Sequence, residues 1–197
     1  LICMNWKGDF LMFDQIHEEC GVFGVYSPES TTSVVGDTYM ALYALQHRGQ
    51  QSCGIAVNDD GIIRSYRDLG LVPDTFNQRV LSDLGSGRMA VGHVLYGASN
   101  PERADAQPLV VRHIKGSMAL AFNGALVNAL ELKEELELKG AIFHSNSDAE
   151  IISHVIINER LHTNSIEEAI EKAMDKLKGA YSMVVMSPQK LMAVRDP

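Results

Sequence analysis

The chain lacks the features that mark several protein classes. It has three cysteines, Cys3, Cys20 and Cys53, and no CxxC pair. Neither a disulfide framework nor a zinc site follows from them, and a reducing cytoplasm is the expected compartment. Positive charge is short: Lys plus Arg is 17 against 25 for Asp plus Glu, a formal charge of −8. That argues against a broad nucleic-acid face, which needs a basic surface. No apolar run reaches membrane-spanning length, so no membrane partner is expected. The first thirteen residues are broken by Asn5, Lys7, Gly8 and Asp9 and lack the unbroken apolar centre of a secretory signal. Repeats, low-complexity tracts and Gly/Ser linkers are missing as well.

What is present is ordinary for a globular domain. Of 197 residues, 46% are hydrophobic and 21% charged, enough for one domain with its own core. A short N-terminal extension over 1–19, followed by one domain over 20–197, is the simplest division. The chain opens on Leu1, which leaves the native start open between Met4, Met12 and an upstream position.

Gly21 to Tyr26 reads as a buried strand directly after Cys20. Val35, Tyr39, Leu42 and Tyr43 recur at helical spacing towards Gly49. Asn58-Asp59-Asp60-Gly61 joins two strand-like runs as a hairpin. Pro73 to Leu84 predicts one short helix. Met89 to Tyr96 and Leu109 to Phe122 predict strands, the second broken near Lys115-Gly116. Asn128 to Lys139 predicts a helix. Ser147 to Glu150 and Ser165 to Glu168 each have the pattern of a capping box opening a helix. Ala180 to Met186 and Leu191 to Val194 predict closing strands. Strands in runs with helices between them suggest an α+β fold, with antiparallel sheets covered by helices.

Three positions carry candidate chemistry. Cys20 is either a small apolar residue at a strand start or a nucleophile. Asn123-Gly124 is either a tight turn or a pair of donors for a developing oxyanion. Asp148 is either an acid favoured by a helix N-terminus or a carboxylate for an ammonium group. His17, His47, His93 and His154 form no recognisable arrangement with Cys20, and His93, inside a strand, reads as structural.

Taken in order, these pieces resemble a known family. Glu18-Glu19-Cys20-Gly21-Val22-Phe23-Gly24, Leu45-Gln46-His47-Arg48-Gly49-Gln50-Gln51-Ser52, Gly92-His93-Val94, Asn123-Gly124 and Ser147-Asp148 are similar to class II glutamine amidotransferases. The LQHRGQ run points to the amidophosphoribosyltransferase branch, whose resemblance extends from about Phe13 to Pro197. The resemblance implies the four-layer α-β-β-α sandwich of the N-terminal-nucleophile hydrolases. It implies that residues 1–19 are a cleaved extension, and that the α-amino group of Cys20 is the base missing from the histidines. Cys20, Asn123 and Gly124 would be catalytic, and Asp148, Tyr96 and Arg48 would bind substrate, with glutamine hydrolysed to supply ammonia for phosphoribosylamine formation. A phosphoribosyltransferase domain is expected beyond Pro197, in a longer protein that forms a homo-oligomer. No cofactor or metal is expected in this domain; magnesium and an iron–sulfur cluster belong with the second.

The chain departs from the family pattern at five positions. Where the family has HVRYST or HVRYAT, this chain has His93-Val94-Leu95-Tyr96-Gly97-Ala98, so the Arg that grips the glutamine carboxylate is Leu95. Where the family has HNGN, this chain has Phe122-Asn123-Gly124-Ala125. Arg103 and Arg112 are the candidates to replace the lost cation. A glutaminase, a hydrolase of amides without an α-carboxylate, and a non-catalytic relative are the three readings left open.

Overall fold

The computed structural model describes residues 20–28, 33–97, 102–145 and 147–196, with two short strand segments, β1 (Cys3–Met4) and β2 (Phe10–Leu11), which pair antiparallel. The rest of the 1–19 extension lies outside the described residues, as does Ala98.

Two four-stranded antiparallel sheets form the centre. The first has the order β3-β6-β4-β5, from β3 (Gly21–Tyr26), β4 (Ser52–Asp59), β5 (Ile62–Leu69) and β6 (Met89–Leu95). The second has the order β10-β9-β8-β7, from β7 (Leu109–His113), β8 (Gly116–Leu126), β9 (Gly179–Met186) and β10 (Leu191–Arg195). Side chains alternate between the faces of each strand, and the inner strands β4 and β6 are buried on both faces. Ala56, Met89, Val91, Ala119, Ala121, Val184 and Met186 fill the layer between the sheets. On the outer face of the first sheet, Cys53, Ile55, Val57 and Val94 pack against Val34, Val35 and Leu42 of α1 (Val34–Leu45). On the outer face of the second, Leu120, Phe122, Met183 and Val185 pack against three helices: α4 (Ala129–Leu138), α5 (Asp148–Leu161) and α6 (Ile166–Met174). The layers are therefore α-β-β-α, as expected.

Local chemistry explains most element boundaries. The β4–β5 turn places Asp60 and Gly61 at φ 50° and 84°, and the Asn58 side chain accepts from the Gly61 N–H at 2.9 Å. Ser33 caps α1 by accepting from Gly36 N at 3.1 Å, and Ser165 caps α6 by accepting from Glu168 N at 3.1 Å.

Three expectations need correction. The helix predicted over Pro73 to Leu84 is two pieces, α2 (Val72–Thr75) and α3 (Gln78–Asp83). Asn77 separates them by adopting extended backbone and capping Val80 N at 3.0 Å. The box at Ser147 does not close: Ser147 accepts from Ala149 N, while Glu150 turns to the amides of His144 and Ser145 and the Ser145 hydroxyl. The box at Ser165 is displaced, because Glu168 accepts from Asn164 N rather than from the cap amide. In both, the carboxylate takes the donors of the preceding loop, which the local pattern does not specify.

Candidate functional site

One contact organises the site. His93, fully buried on β6, donates from Nε2 to the carbonyl oxygen of Phe122 on β8 at 3.0 Å. It ties the facing sheets together one residue before Asn123. Burial lowers the His93 pKa to about 4, so the ring is neutral. With the proton on Nε2, Nδ1 is a bare acceptor, and it has no hydrogen-bond partner among the described residues. His93 is thus structural, as its place in a strand suggested, though its partner was not foreseen.

Cys20 lies close to this contact. Val22 pairs with His93 and Gly21 with Val94, so Cys20 sits where β3 begins and β6 ends. Its Sγ accepts from the Tyr96 N–H at 3.4 Å and lies 3.5 Å from the Tyr96 carbonyl. The Arg48 Nε donates to the Cys20 carbonyl at 3.4 Å. Gln46 holds the loop carrying Arg48: its Nε2 donates to the Gly49 carbonyl and its Oε1 accepts from Val72 N at 2.6 Å. The conspicuous LQHRGQ run thus serves, in part, to grip the main chain at Cys20.

Asn123 and Gly124 lie inside β8, not in a turn. The strand runs on to Leu126, with Asn123 paired to Ser182 and Gly124 to Tyr181. The Asn-Gly signal fails here because β9 pairs alongside and holds both residues extended. β7 pairs only up to Leu120, which leaves one edge of β8 open beyond that point. On this edge Phe122 N donates to the buried Gln107 Oε1 at 2.7 Å, and Leu126 N donates to Asp148 Oδ2 at 2.8 Å. Alternate amides of a strand point the same way, so the Gly124 N–H points to this edge between those two. Gly124 has φ 139°, and an added Cβ would meet the Ala180 carbonyl oxygen at 2.2 Å. The position therefore requires glycine. The Asn123 side chain shares the face of Ala119 and Ala121, towards the layer between the sheets, and hydrogen-bonds no other described residue.

Asp148 opens α5 and is half-buried. Burial raises its pKa, opposed by the Leu126 N–H. Gln107 was missed from the sequence; a glutamine in Ala106-Gln107-Pro108 carries no local sign that it will replace a strand neighbour.

Leu95 is 9% exposed and lies on the same strand face as His93. The expected substitutes do not fill its place. Arg103 is met by Asp68 at 3.4 Å and donates to the Arg67 carbonyl on β5. Arg112 pairs with Ser117, so about 20 Å of β8 separates it from Asn123. Beyond Tyr96 the chain turns at Gly97 with φ 91°, a conformation a Ser or Thr would adopt only under strain. The backbone at Gly97 therefore favours glycine over the Ser or Thr of the family pattern. Among the described residues no three His, Cys, Asp or Glu side chains are grouped to hold a metal ion. No helix there is long and apolar enough to cross a membrane.

A four-layer sandwich of two antiparallel sheets between helices, with a cysteine at the head of the edge strand β3, has the architecture of the N-terminal-nucleophile hydrolases. The chain belongs to the glutamine amidotransferase domain family, which residues 98–197 match. It is 44% identical over 179 residues to an amidophosphoribosyltransferase of Methanocaldococcus jannaschii, covering 90% of this chain and 38% of that protein. It is 40% identical to amidophosphoribosyltransferase 3, chloroplastic, of Arabidopsis thaliana, covering 93% of this chain and 34% of that one. Among solved structures, glutamine phosphoribosylpyrophosphate amidotransferase from B. subtilis, complexed with ADP and GMP, superposes with a TM-score of 0.80 at 37% identity. That match covers 89% of this chain and 37% of the other. The chain thus spans a little over a third of the length of these relatives.

Proposed function

We propose that this domain hydrolyses glutamine with Cys20 as nucleophile. The ammonia would pass to a phosphoribosyltransferase domain of a longer protein, where it displaces pyrophosphate from phosphoribosyl pyrophosphate. The product, 5-phosphoribosylamine, would serve purine synthesis. The likeness to amidophosphoribosyltransferases supports the reaction class. The observation that carries the site assignment is the His93–Phe122 contact, which brings Cys20 and the open Gly124 edge to one end of the sandwich.

Cleavage before Cys20 frees an α-amine, whose ordinary pKa of about 7.7–8.0 suits a base near neutrality. The amine takes the thiol proton, and the thiolate adds to the side-chain amide carbon. The oxyanion forms against the Asn123 amide and the Gly124 N–H. The ammonium group returns its proton to the departing nitrogen, the C–N bond breaks, and ammonia leaves a thioester. Water then adds to the thioester, the C–S bond breaks, and glutamate and the thiol are restored. While Glu19 remains attached, the Cys20 nitrogen is an amide and cannot act as a base. Asp148 would receive the substrate's ammonium group, a reading supported by its half-buried carboxylate at the open edge of β8, and Arg48 and the Tyr96 backbone hold Cys20 in position.

Leu95 makes the carboxylate end of glutamine the weak point. A lost charge-assisted hydrogen bond is worth about 1.5–3 kcal/mol, so one or two should cost about 10-fold to more than 1,000-fold in affinity. Leu95→Arg in the processed domain should lower the KM for glutamine by at least about 10-fold. Hydrolysis measured over a wide glutamine range checks this. A parent that saturates at low glutamine, with no gain in the variant, contradicts the anchor argument. Cleavage of a carboxylate-free amide, with no glutamine hydrolysis by either protein, favours the other hydrolase reading, which buried Leu95 would suit.

A further inference from the structure

We propose that the opposite end of the second sheet carries another ligand site, a cationic pocket that takes a small phosphomonoester. A cavity of about 270 Å³ lies between the β7–β8 turn, the end of α5, the start of α6 and the β9–β10 loop. Lys115, Arg160, Lys190 and His113 line it, with Glu167 as the carboxylate. Three fixed positive charges against one negative leave an excess of two, in a chain whose formal charge is −8. A locally inverted charge inside a concave surface focuses potential on an anion.

The walls are held in place without a ligand. The Arg160 guanidinium donates from Nη1 to the Thr163 carbonyl at 2.7 Å, which fixes its direction. Lys190 pairs with Glu167, and the Lys190 N–H donates to the Ser187 hydroxyl at 3.0 Å. Asn58 of β4 donates to the Pro188 carbonyl at 2.7 Å and ties this loop to the other sheet. Among the described residues no carboxylate lies within ion-pair distance of Lys115 or Arg160. Glu168, the other acid near the start of α6, is engaged by Lys172 at 3.1 Å. Burial and, after it, the Arg160 charge lower the His113 pKa, which favours the neutral ring, so the positive charge of the pocket comes from Lys115, Arg160 and Lys190.

The pocket is separate from Cys20 and Asp148. About 23 Å of β8 lies between Gly116 and Asn123, and about 18 Å of α5 between Asp148 and Arg160. Its volume exceeds that of a bare phosphate and falls just below the roughly 300–1,000 Å³ of drug-sized sites, which suits a phosphate with a small organic group. A phosphomonoester is mostly a dianion at neutral pH, which matches the excess of two positive charges.

The test is calorimetric titration of the 197-residue chain at low ionic strength with inorganic phosphate and with ribose 5-phosphate, alongside amide NMR. Saturable one-site binding is expected, tighter for the sugar phosphate, with shifts concentrated at Ser117, Ser187 and Lys190. Lys115→Gln, at an exposed position, should weaken binding on the order of 10-fold. Lys115→Arg should retain it, and Lys139→Gln, which removes the same charge elsewhere, should leave it unchanged. Absence of saturation, equal loss in Lys139→Gln, or shifts centred away from this pocket would overturn the proposal.

Discussion

Replacing Asn123 by alanine is expected to lower glutamine turnover by about 100- to 1,000-fold, the range measured when one oxyanion donor is removed. The melting temperature and the KM should change little. The Asn123 side chain hydrogen-bonds no other described residue, so its loss leaves no donor or acceptor stranded in the fold. Its backbone remains paired with Ser182 in β8. The interaction at stake forms only when the amide oxygen gains charge, so the effect belongs in kcat. Steady-state kinetics beside a thermal melt separates the two quantities. Turnover within a few-fold of the parent would remove Asn123 from the chemistry.

Gly124→Ala is expected to damage fold and turnover together. A Cβ would sit 2.2 Å from the Ala180 carbonyl oxygen and 2.6 Å from the Tyr181 Cα, both backbone atoms of the neighbouring strand. At φ 139° an alanine would also carry backbone strain. Overpacking and strain of this kind each cost roughly 1–3 kcal/mol, so the sum is about 2–6 kcal/mol. For a domain of this size that means a fall of roughly 5–20 °C in melting temperature. The Gly124 N–H could not keep its direction while β8 and β9 move apart. A stable, fully active Gly124→Ala protein would show that neither the close approach nor the amide direction is needed.

The fold was legible where local chemistry and final environment agree. The β4–β5 hairpin follows from Asp60 and Gly61, which accept positive φ, and from the Asn58 side chain that closes the turn. The run after Cys20 had to be a strand because both its faces are covered, by α1 on one side and the second sheet on the other. Where a distant partner decides the outcome, local rules failed. Asn123-Gly124 has the sequence of a turn, yet β9 keeps it extended. Glu150 has the spacing of a capping residue, yet the 144–145 loop folds over α5 and takes its carboxylate.

The candidate site was legible only in part. Composition gave no reason to prefer Cys20 over Cys53, and the order of several motifs pointed to it. The structure supplies a physical difference. Cys53 is fully buried on β4, and desolvation, opposed by the Thr75 hydroxyl and reinforced by Asp68 and Asp74, pushes its thiol up to about 11. The tie between the sheets could not be read, because it joins a side chain on β6 to a main-chain carbonyl on β8. Gln107 left no trace either, since a buried glutamine is recognised only once its partner, Phe122 N, is placed.

The central claim is that Cys20, with a free α-amine, is the nucleophile. The most direct measurement treats the protein with a glutamine-mimicking electrophile under mild conditions and maps the modified peptide by mass. The account predicts a single adduct on Cys20, in chains that begin at Cys20, with loss of glutamine hydrolysis in proportion to labelling. Cys53 should stay unmodified while the fold is intact. Equal labelling of Cys53, or full glutamine hydrolysis by chains whose mass retains residues 1–19, would contradict it.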